Sequence, residues 1–475
     1  MAIPDNIKDE IQAIDETTPT SNNPDWLFVD ENGVKRISTT LLGDEILKEL
    51  PLILTNDLTN GAYYNGQNWQ ELSSKDSLKL LLGSVITRKL VQVNKYSSRK
   101  KNEVSDYITS MSYQNTFSPF LEPTPQLVSF KNGTYDIHTN ELRPNKPDDY
   151  ILGGLPYELD TSGRDTPYIN AMLDYMVGAE QSKFLTEYIG YMFYKSYAPF
   201  NIFVIIQGIA GNGKSTLIDT LIKPLLSVAN ISNLSLEQLT SNDEGAKFYP
   251  AQLLGMYANI AMDLKTMYIS SPDIIKSLTG NDGVTAQKKH GQPFNFVNYA
   301  TMLYGANELP IMKHDIGIFS RAVILPTIAP LVRDNPAEKA KRERLFPANE
   351  IKKELPAFAY KAMTLFNIAR LEGKLSKTTN MINATNEWYY SDPLSRYLKE
   401  CTANCEHGSG ISTTYIWQHY QDWLIEEGLN VSSFKKNTFI KELEQRGHPR
   451  IKSRKGSSDD GKSTYRFDGL ELMNN

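Results

Sequence analysis

Gly208, Gly213, Lys214 and Ser215 stand at the spacing G-x-x-x-x-G-K-[ST], within the run Gly208-Ile-Ala-Gly-Asn-Gly-Lys-Ser-Thr216. Glycines here, Gly211 included, adopt backbone angles closed to residues with a Cβ and let N–H groups approach a phosphate chain. A helix starting behind them adds positive partial charge and unpaired donors. Lys214 can then reach the β- and γ-phosphates of a nucleotide, and Ser215 can ligate the Mg²⁺ that bridges them. Asn212 and Thr216 complete the loop. The pattern predicts ATP and Mg²⁺ as ligands; the alternative is a glycine-rich turn that holds nothing.

Such a loop needs a strand before it and a helix after it. Ile202-Phe-Val-Ile-Ile206 is apolar and β-branched, as a buried parallel strand is. Apolar residues at 217, 218, 221, 222 and 225 follow helical spacing. Further polar residues stand at the ends of other strand-like runs. Met256–Met262 ends at Asp263, an acid able to hold Mg²⁺ through water and orient an attacking water, or else to cap the next helix. Val284–Val297 reads as a β-hairpin with Lys288, Lys289 and His290 at its tip, either an exposed basic turn or a contact for a nucleic-acid backbone. Tyr299–Gly305 leads to Asn307, whose amide can touch the γ-phosphate or the attacking water, or serve as a turn residue before Pro310. Arg321 directly precedes a further strand ending at Leu325. Strands alternating with helices make this region α/β.

At 475 residues the chain has material for about three domains. With a net charge of −5, any nucleic-acid role must rest on local basic patches. Two cysteines only, Cys401 and Cys405, suit a reducing cytoplasm. The first residues lack the apolar core of a signal peptide, and no apolar run is long enough to span a membrane.

The order of these features resembles the superfamily 3 helicases, AAA+ ring motors of DNA viruses, phages and plasmids. The likeness covers roughly residues 200–330. It implies that Lys289 and His290 belong to a pore hairpin pressed on single-stranded DNA. It implies that Arg321, after Ser320, is an arginine finger for a neighbour's ATP, and that Asn307 is the sensor-1 residue. It also implies a homohexameric ring. Phe130–Ile137 and the stretch from Ile274 to Pro310 are similar to phage and plasmid primase–helicases of the poxvirus-like branch. The layout as a whole resembles the self-loading replication initiators of staphylococcal mobile genetic islands. Met262 stands where many members carry a second acid, so the resemblance assigns no catalytic base.

Residues 1–165 read as an N-terminal α+β region. It has a hairpin about Asn65-Gly66, a helix over 78–90, two strands about Asn132-Gly133, and a basic cluster at Arg99-Lys-Lys101. That cluster reads as a solvated turn or a DNA-facing patch. Residues 166–375 read as a helical collar plus the P-loop core, closed by a solvated charged helix over 338–344 and a helix from Leu355 to Glu372. A polar linker begins at Ser376. Residues 385–475 read as a winged helix: three helices, the third capped by Ser433, then strands over 450–455 and 463–467. Lys435, Lys436, Lys441, Arg446, Arg450, Lys452, Arg454 and Lys455 make it basic, which suits duplex DNA, with partner docking as the alternative.

The combined reading is an ATP-dependent, ring-forming DNA helicase and replication initiator. It would move on single strands and open duplex at an origin. The alternatives are an initiator that uses ATP as an assembly switch, and a P-loop phosphotransferase acting on a small molecule.

Overall fold

The computed structural model describes residues 24–55, 61–72, 74–114, 119–241, 243–264, 268–269, 273–289, 291–312, 315–333, 335–407, 409–429, 431–452 and 465–473. A five-stranded parallel sheet organises the centre. Its strands are β1 (Phe203–Gln207), β2 (Ile231–Ser232), β3 (Ala258–Leu264), β6 (Thr301–Ala306) and β7 (Ala322–Pro326). Between β3 and β6 lies the antiparallel hairpin of β4 (Gly283–Gln287) and β5 (Pro293–Val297). The sheet order is β2-β3-β6-β1-β7, with every pair parallel. The P-loop strand is therefore flanked by the strands leading to Asn307 and from Arg321.

Both faces of the sheet are covered, so its strands are apolar at successive positions. Val204, Ile206, Leu303, Val323 and Leu325 join one apolar cluster. Phe203, Ile205, Met302, Tyr304 and Ile324 join the other. Helices Pro167–Val177, Ala179–Tyr191 and Ala348–Glu372 supply buried residues to the first cluster, as a collar packed on the core. The last of these begins earlier than Leu355 because Pro356 does not break it; Gly373, at φ +70°, ends it as expected.

The helix behind the P-loop runs over 214–226 as Lys214–Leu217, a π turn Ile218–Ile222 and Lys223–Leu226. Pro224 has no N–H to donate to the residue four before it, and the wider turn falls just ahead of it.

The segment from Ser376, expected as a linker, is packed structure. Ser376 donates to Glu187 from its N–H and its hydroxyl, both at 2.7 Å. Thr378 caps helix Thr379–Tyr389. That helix lies along the edge strand β7, where Thr385 Oγ1 accepts from Ile324 N at 3.0 Å. It thereby shields a sheet edge that would otherwise offer unpaired groups.

In the N-terminal region Ala62–Tyr64 pairs with Trp69–Glu71, as the Asn65-Gly66 turn predicts. Leu127–Phe130 pairs with Gly133–Asp136 across a turn that places Gly133 in the second strand. The helix expected over 78–90 spans Lys75–Gln92. The basic cluster is a helix start, not a turn. Ser97 caps helix Ser98–Ser112, and Glu103 pairs with both Arg99 and Lys100, offsetting cations at the wrong end of the dipole.

The C-terminal region has helices Pro393–Cys401, Thr413–Glu426 and Lys436–Gln445 around Tyr397, Tyr420, Phe439, Leu443 and Phe467. Arg450–Lys452 pairs with Tyr465–Asp468, which pairs with Gly410–Ser412. The third helix is capped by Lys435 without a side-chain bond, not by Ser433, which lies in a preceding 3₁₀ turn. Among the described residues no helix is long and apolar enough to cross a membrane.

Candidate functional site

The P-loop leaves the C-terminal end of β1 and encloses one side of a cavity of about 560 Å³. Backbone geometry explains the glycines. Gly211 and Gly213 have φ of +79° and +102°. A Cβ on Gly208 would lie 1.9 Å from Thr327 Oγ1. Asn212 is buried and donates through Nδ2 to Thr327 Oγ1 at 2.5 Å, which ties the loop to the end of β7.

Lys214 is only 6% exposed. Its Nζ donates to the carbonyls of Gly208 at 2.6 Å and Ile209 at 3.0 Å, and to Asn307 Oδ1 at 2.9 Å. The register explains the last bond. Gln207 on β1 faces Ala306 on β6, so the residues that follow them meet at the same edge. Asn307 is thus placed where the sequence suggested. Ser215 and Thr216 are exposed on the first helical turn and line the cavity.

Asp263 was expected just past the end of its strand. Instead β3 continues to Leu264, with one extra residue between Ala261 and Leu264 against β6. Met262 and Asp263 lie in this bulge, a device that re-aims side chains near sites. Gly305 makes room for it: a Cβ there would lie 2.2 Å from Met262 Cε. The Asp263 side chain lies outside the described atoms.

Arg321 is not at its own chain's cavity. Its carbonyl accepts from Phe203 N at 2.9 Å, so it sits beside the N-terminal end of β1. The P-loop begins five residues on, roughly 16 Å away at strand rise. The guanidinium donates to Gly317 O at 2.7 Å. The short helix before it, Ile316–Phe319, is capped by Asp315, which pairs with Lys276 at 2.8 Å. Burial pushes the Asp315 carboxyl up, but Lys276 and the Ile318 N–H outweigh it and hold it below the usual range.

Sequence reasoning missed two cations. Arg333 and Arg342 both line the cavity, giving three positive side chains with Lys214 and no carboxylate among its described lining residues. Arg342 belongs to helix Pro336–Leu345, read as solvated because of its charge, yet it is buried. The missed signal was a Tyr175 ring to stack on, which only the fold supplies. The donor set suits a polyanion. Ser215 offers a hydroxyl for a divalent cation at the same edge.

The hairpin is held by Val284, Ala286, Phe294 and Phe296, all buried. At its tip Lys289 is exposed, while Lys288 pairs with Glu71 of the N-terminal region. His290 lies outside the described residues. Half-exposed pairs of this kind contribute about 0.2–1 kcal/mol, less than burial of one hairpin phenylalanine at about 1.5–3 kcal/mol, so packing rather than the pair sets the hairpin's place.

In the C-terminal region Lys435 and Lys452 are exposed and Lys436 half-buried. Arg450 is exposed, stacks 4.7 Å from the Tyr465 ring and pairs with Glu444 at 3.4 Å. Arg446, expected on the basic surface, is turned inward: it donates to Asp392 at 3.0 Å and Ser395 at 2.7 Å, bracing the cap of helix Pro393–Cys401. Arg454 and Lys455 lie outside the described residues.

Residues 40–178 match a family described as D5 N terminal like, and residues 206–321 match a family of unknown function, DUF5906. No curated protein matches the sequence. Among solved structures, the apo C-terminal region of NrS-1 aligns at 12% identity and a TM-score of 0.43, over 90% of this chain and 97% of that one. JCV helicase with a bound acetamide compound aligns at 13% identity and a TM-score of 0.27, over 48% of this chain and 60% of that one.

Proposed function

We propose that this chain is an ATP-dependent DNA helicase and replication initiator that works as a ring of copies, probably best tested first as an ATPase. The observation that carries the reading is Lys214, buried and held against Gly208, Ile209 and Asn307 at the edge of an all-cationic cavity. A triphosphate suits that donor set, and the D5 N-terminal-like match, of the phage and viral primase–helicase kind, supports replication as the setting.

In this reading the P-loop N–H groups and Lys214 bind and orient the phosphates. Ser215 and Asp263 hold Mg²⁺, which supplies charge neutralisation between the phosphates. Asn307 orients the attacking water. Arg321 lies too far from its own cavity to serve it, which supports its use at a neighbouring copy's cavity, as an arginine finger. Six copies follow from the resemblance alone. Lys288, Lys289 and His290 track a single strand in the channel without reading bases.

The C-terminal region is read as a winged helix whose Lys435, Lys436, Arg450, Lys452 and Arg454 contact duplex DNA at an origin. Its three helices and paired strands support that reading. The assignment places an N-terminal α+β domain before 166, the collar and AAA+ core through Tyr390, and the winged helix from Asp392. The protein acts in the cytoplasm.

The test is strand displacement on forked DNA at physiological salt, with ATP and with a non-hydrolysable analogue, alongside the mass of the assembly. ATP-dependent displacement by an oligomer supports the reading. Nucleotide-dependent assembly on DNA without displacement turns it into an ATP-switched initiator. A monomer that hydrolyses ATP at full rate removes the shared site.

A further inference from the structure

Arg342 is 8% exposed, and among the described residues no carboxylate forms an ion pair with it. Its Nη2 donates to the carbonyls of Asn212 and, at 3.4 Å, Pro330; its Nε is buried without a hydrogen-bond partner. A buried cation in this state is costly unless an anion completes it. The guanidinium lies against the P-loop itself: a Cβ on Gly213 would sit 2.2 Å from Nη1. It also lines the cavity that holds Lys214.

Tyr175, on the collar helix Pro167–Val177, holds it there. The Tyr175 ring lies 4.8 Å under the guanidinium, and its hydroxyl donates to Glu338, one turn earlier on the arginine's own helix. Burial and the Glu338 bond both push the Tyr175 hydroxyl up, keeping it a donor. The clamp fixes helix Pro336–Leu345 with its one buried cation facing the phosphate cradle.

We propose that Arg342 is a phosphate ligand of this cavity and that Tyr175 is its positioning residue, so that nucleotide occupancy is felt by the packing of helix Pro336–Leu345 on the collar. The proposal rests on the nucleotide reading of the cavity and adds a ligand contributed from the C-terminal side of the core. The planar fork matters: a guanidinium can meet two phosphate oxygens at once, and an ammonium at the same place cannot.

The experiment is titration of the full chain with fluorescent ADP and a non-hydrolysable ATP analogue, with melting of the nucleotide-free protein recorded for each variant. Lys214→Ala is the reference for loss of the cavity. Arg342→Ala is expected to weaken nucleotide binding tenfold or more while the nucleotide-free protein melts no lower, because an uncompensated buried charge has been removed. Arg342→Lys is expected to recover only part of the affinity. Tyr175→Leu should weaken binding in the wild-type background and add nothing to Arg342→Ala. If Arg342→Ala binds within twofold of wild type while Lys214→Ala does not bind, the proposal is wrong and the cavity reading stands. If wild type binds neither nucleotide, both fall. A lower melting point with unchanged affinity marks Arg342 as structural and overturns the proposal. Should the alanine variant not fold, Arg342→Lys decides: a loss of several-fold supports the proposal, and wild-type affinity overturns it.

Discussion

Phe203 donates its backbone N–H to the carbonyl of Arg321 at 2.9 Å, which fixes the arginine at the opposite end of β1 from the P-loop. One strand length separates Arg321 from the cavity its own chain builds. Any part it takes in hydrolysis is therefore played at another copy. Arg321→Ala should bind nucleotide normally and lose hydrolysis by about 10³-fold. Mixing it with Lys214→Ala should restore turnover, because each mutant supplies what the other lacks. The measurement is steady-state phosphate release from the separate and mixed variants; full activity of Arg321→Ala alone refutes the shared site.

Asn307 and Lys214 are joined at 2.9 Å, yet the two substitutions should part company. Lys214→Ala removes the cation that a phosphate chain meets and should abolish nucleotide binding. Asn307→Ala should leave affinity within a few-fold and lower turnover by about 10²-fold, the usual scale for one preorganised polar group. Equilibrium binding and single-turnover hydrolysis separate the two effects. Equal loss of binding in both variants would mean that Asn307 only shapes the loop.

The P-loop and its strands were legible because each carries a local signal: β-branched apolar runs, glycines where φ must be positive, and Lys214 at fixed spacing. Asn307 was legible for the same reason, as a polar residue just past an apolar strand. Arg342 was not, because a run such as Glu338–Arg344 has the composition of a solvated helix and nothing local marks the one buried cation. The start of helix Ala348–Glu372 was missed because Pro356 is a breaker by propensity, overridden here by packing of Ile351, Leu355 and Phe358. The linker at Ser376 was misread because its partner, Glu187, lies far off in the chain. Short pairings such as Thr402–Asn404 with Leu470–Leu472 carry too few residues to show a period.

At the hairpin tip the two lysines differ in their partners. Lys289 is exposed, whereas Lys288 is engaged by Glu71. Lys289→Ala should weaken single-strand binding and lower the salt dependence of log K by about 0.7, one phosphate contact. Glu71→Gln should strengthen binding slightly by releasing Lys288, with an effect that fades at high salt. Fluorescence anisotropy with a labelled oligonucleotide at several salt concentrations reads both. Unchanged affinity and slope in Lys289→Ala would remove the tip from the DNA path.

Lys195 gives the fold a pH dependence of its own. It is 4% exposed, lies 5.3 Å over the Tyr257 ring and donates to the carbonyl of Leu127. Burial lowers its pKa from 10.5 to about 7. Between those values the unfolded chain holds a proton that the folded chain has shed, so stability rises with pH, by up to ~1.4 kcal/mol per pH unit from this group. Below about pH 7 both states are protonated and the penalty is constant. Above the ordinary tyrosine value of 10.0 the trend reverses, because buried tyrosines such as Tyr135, pushed up to about 12, stay neutral in the fold while the unfolded chain ionises. Lys195→Met should therefore raise stability at neutral pH and flatten the rise toward pH 10, though Leu127 loses its donor. Urea denaturation of both proteins across that range is the measurement. Parallel curves for wild type and variant would show that Lys195 stays charged in the fold.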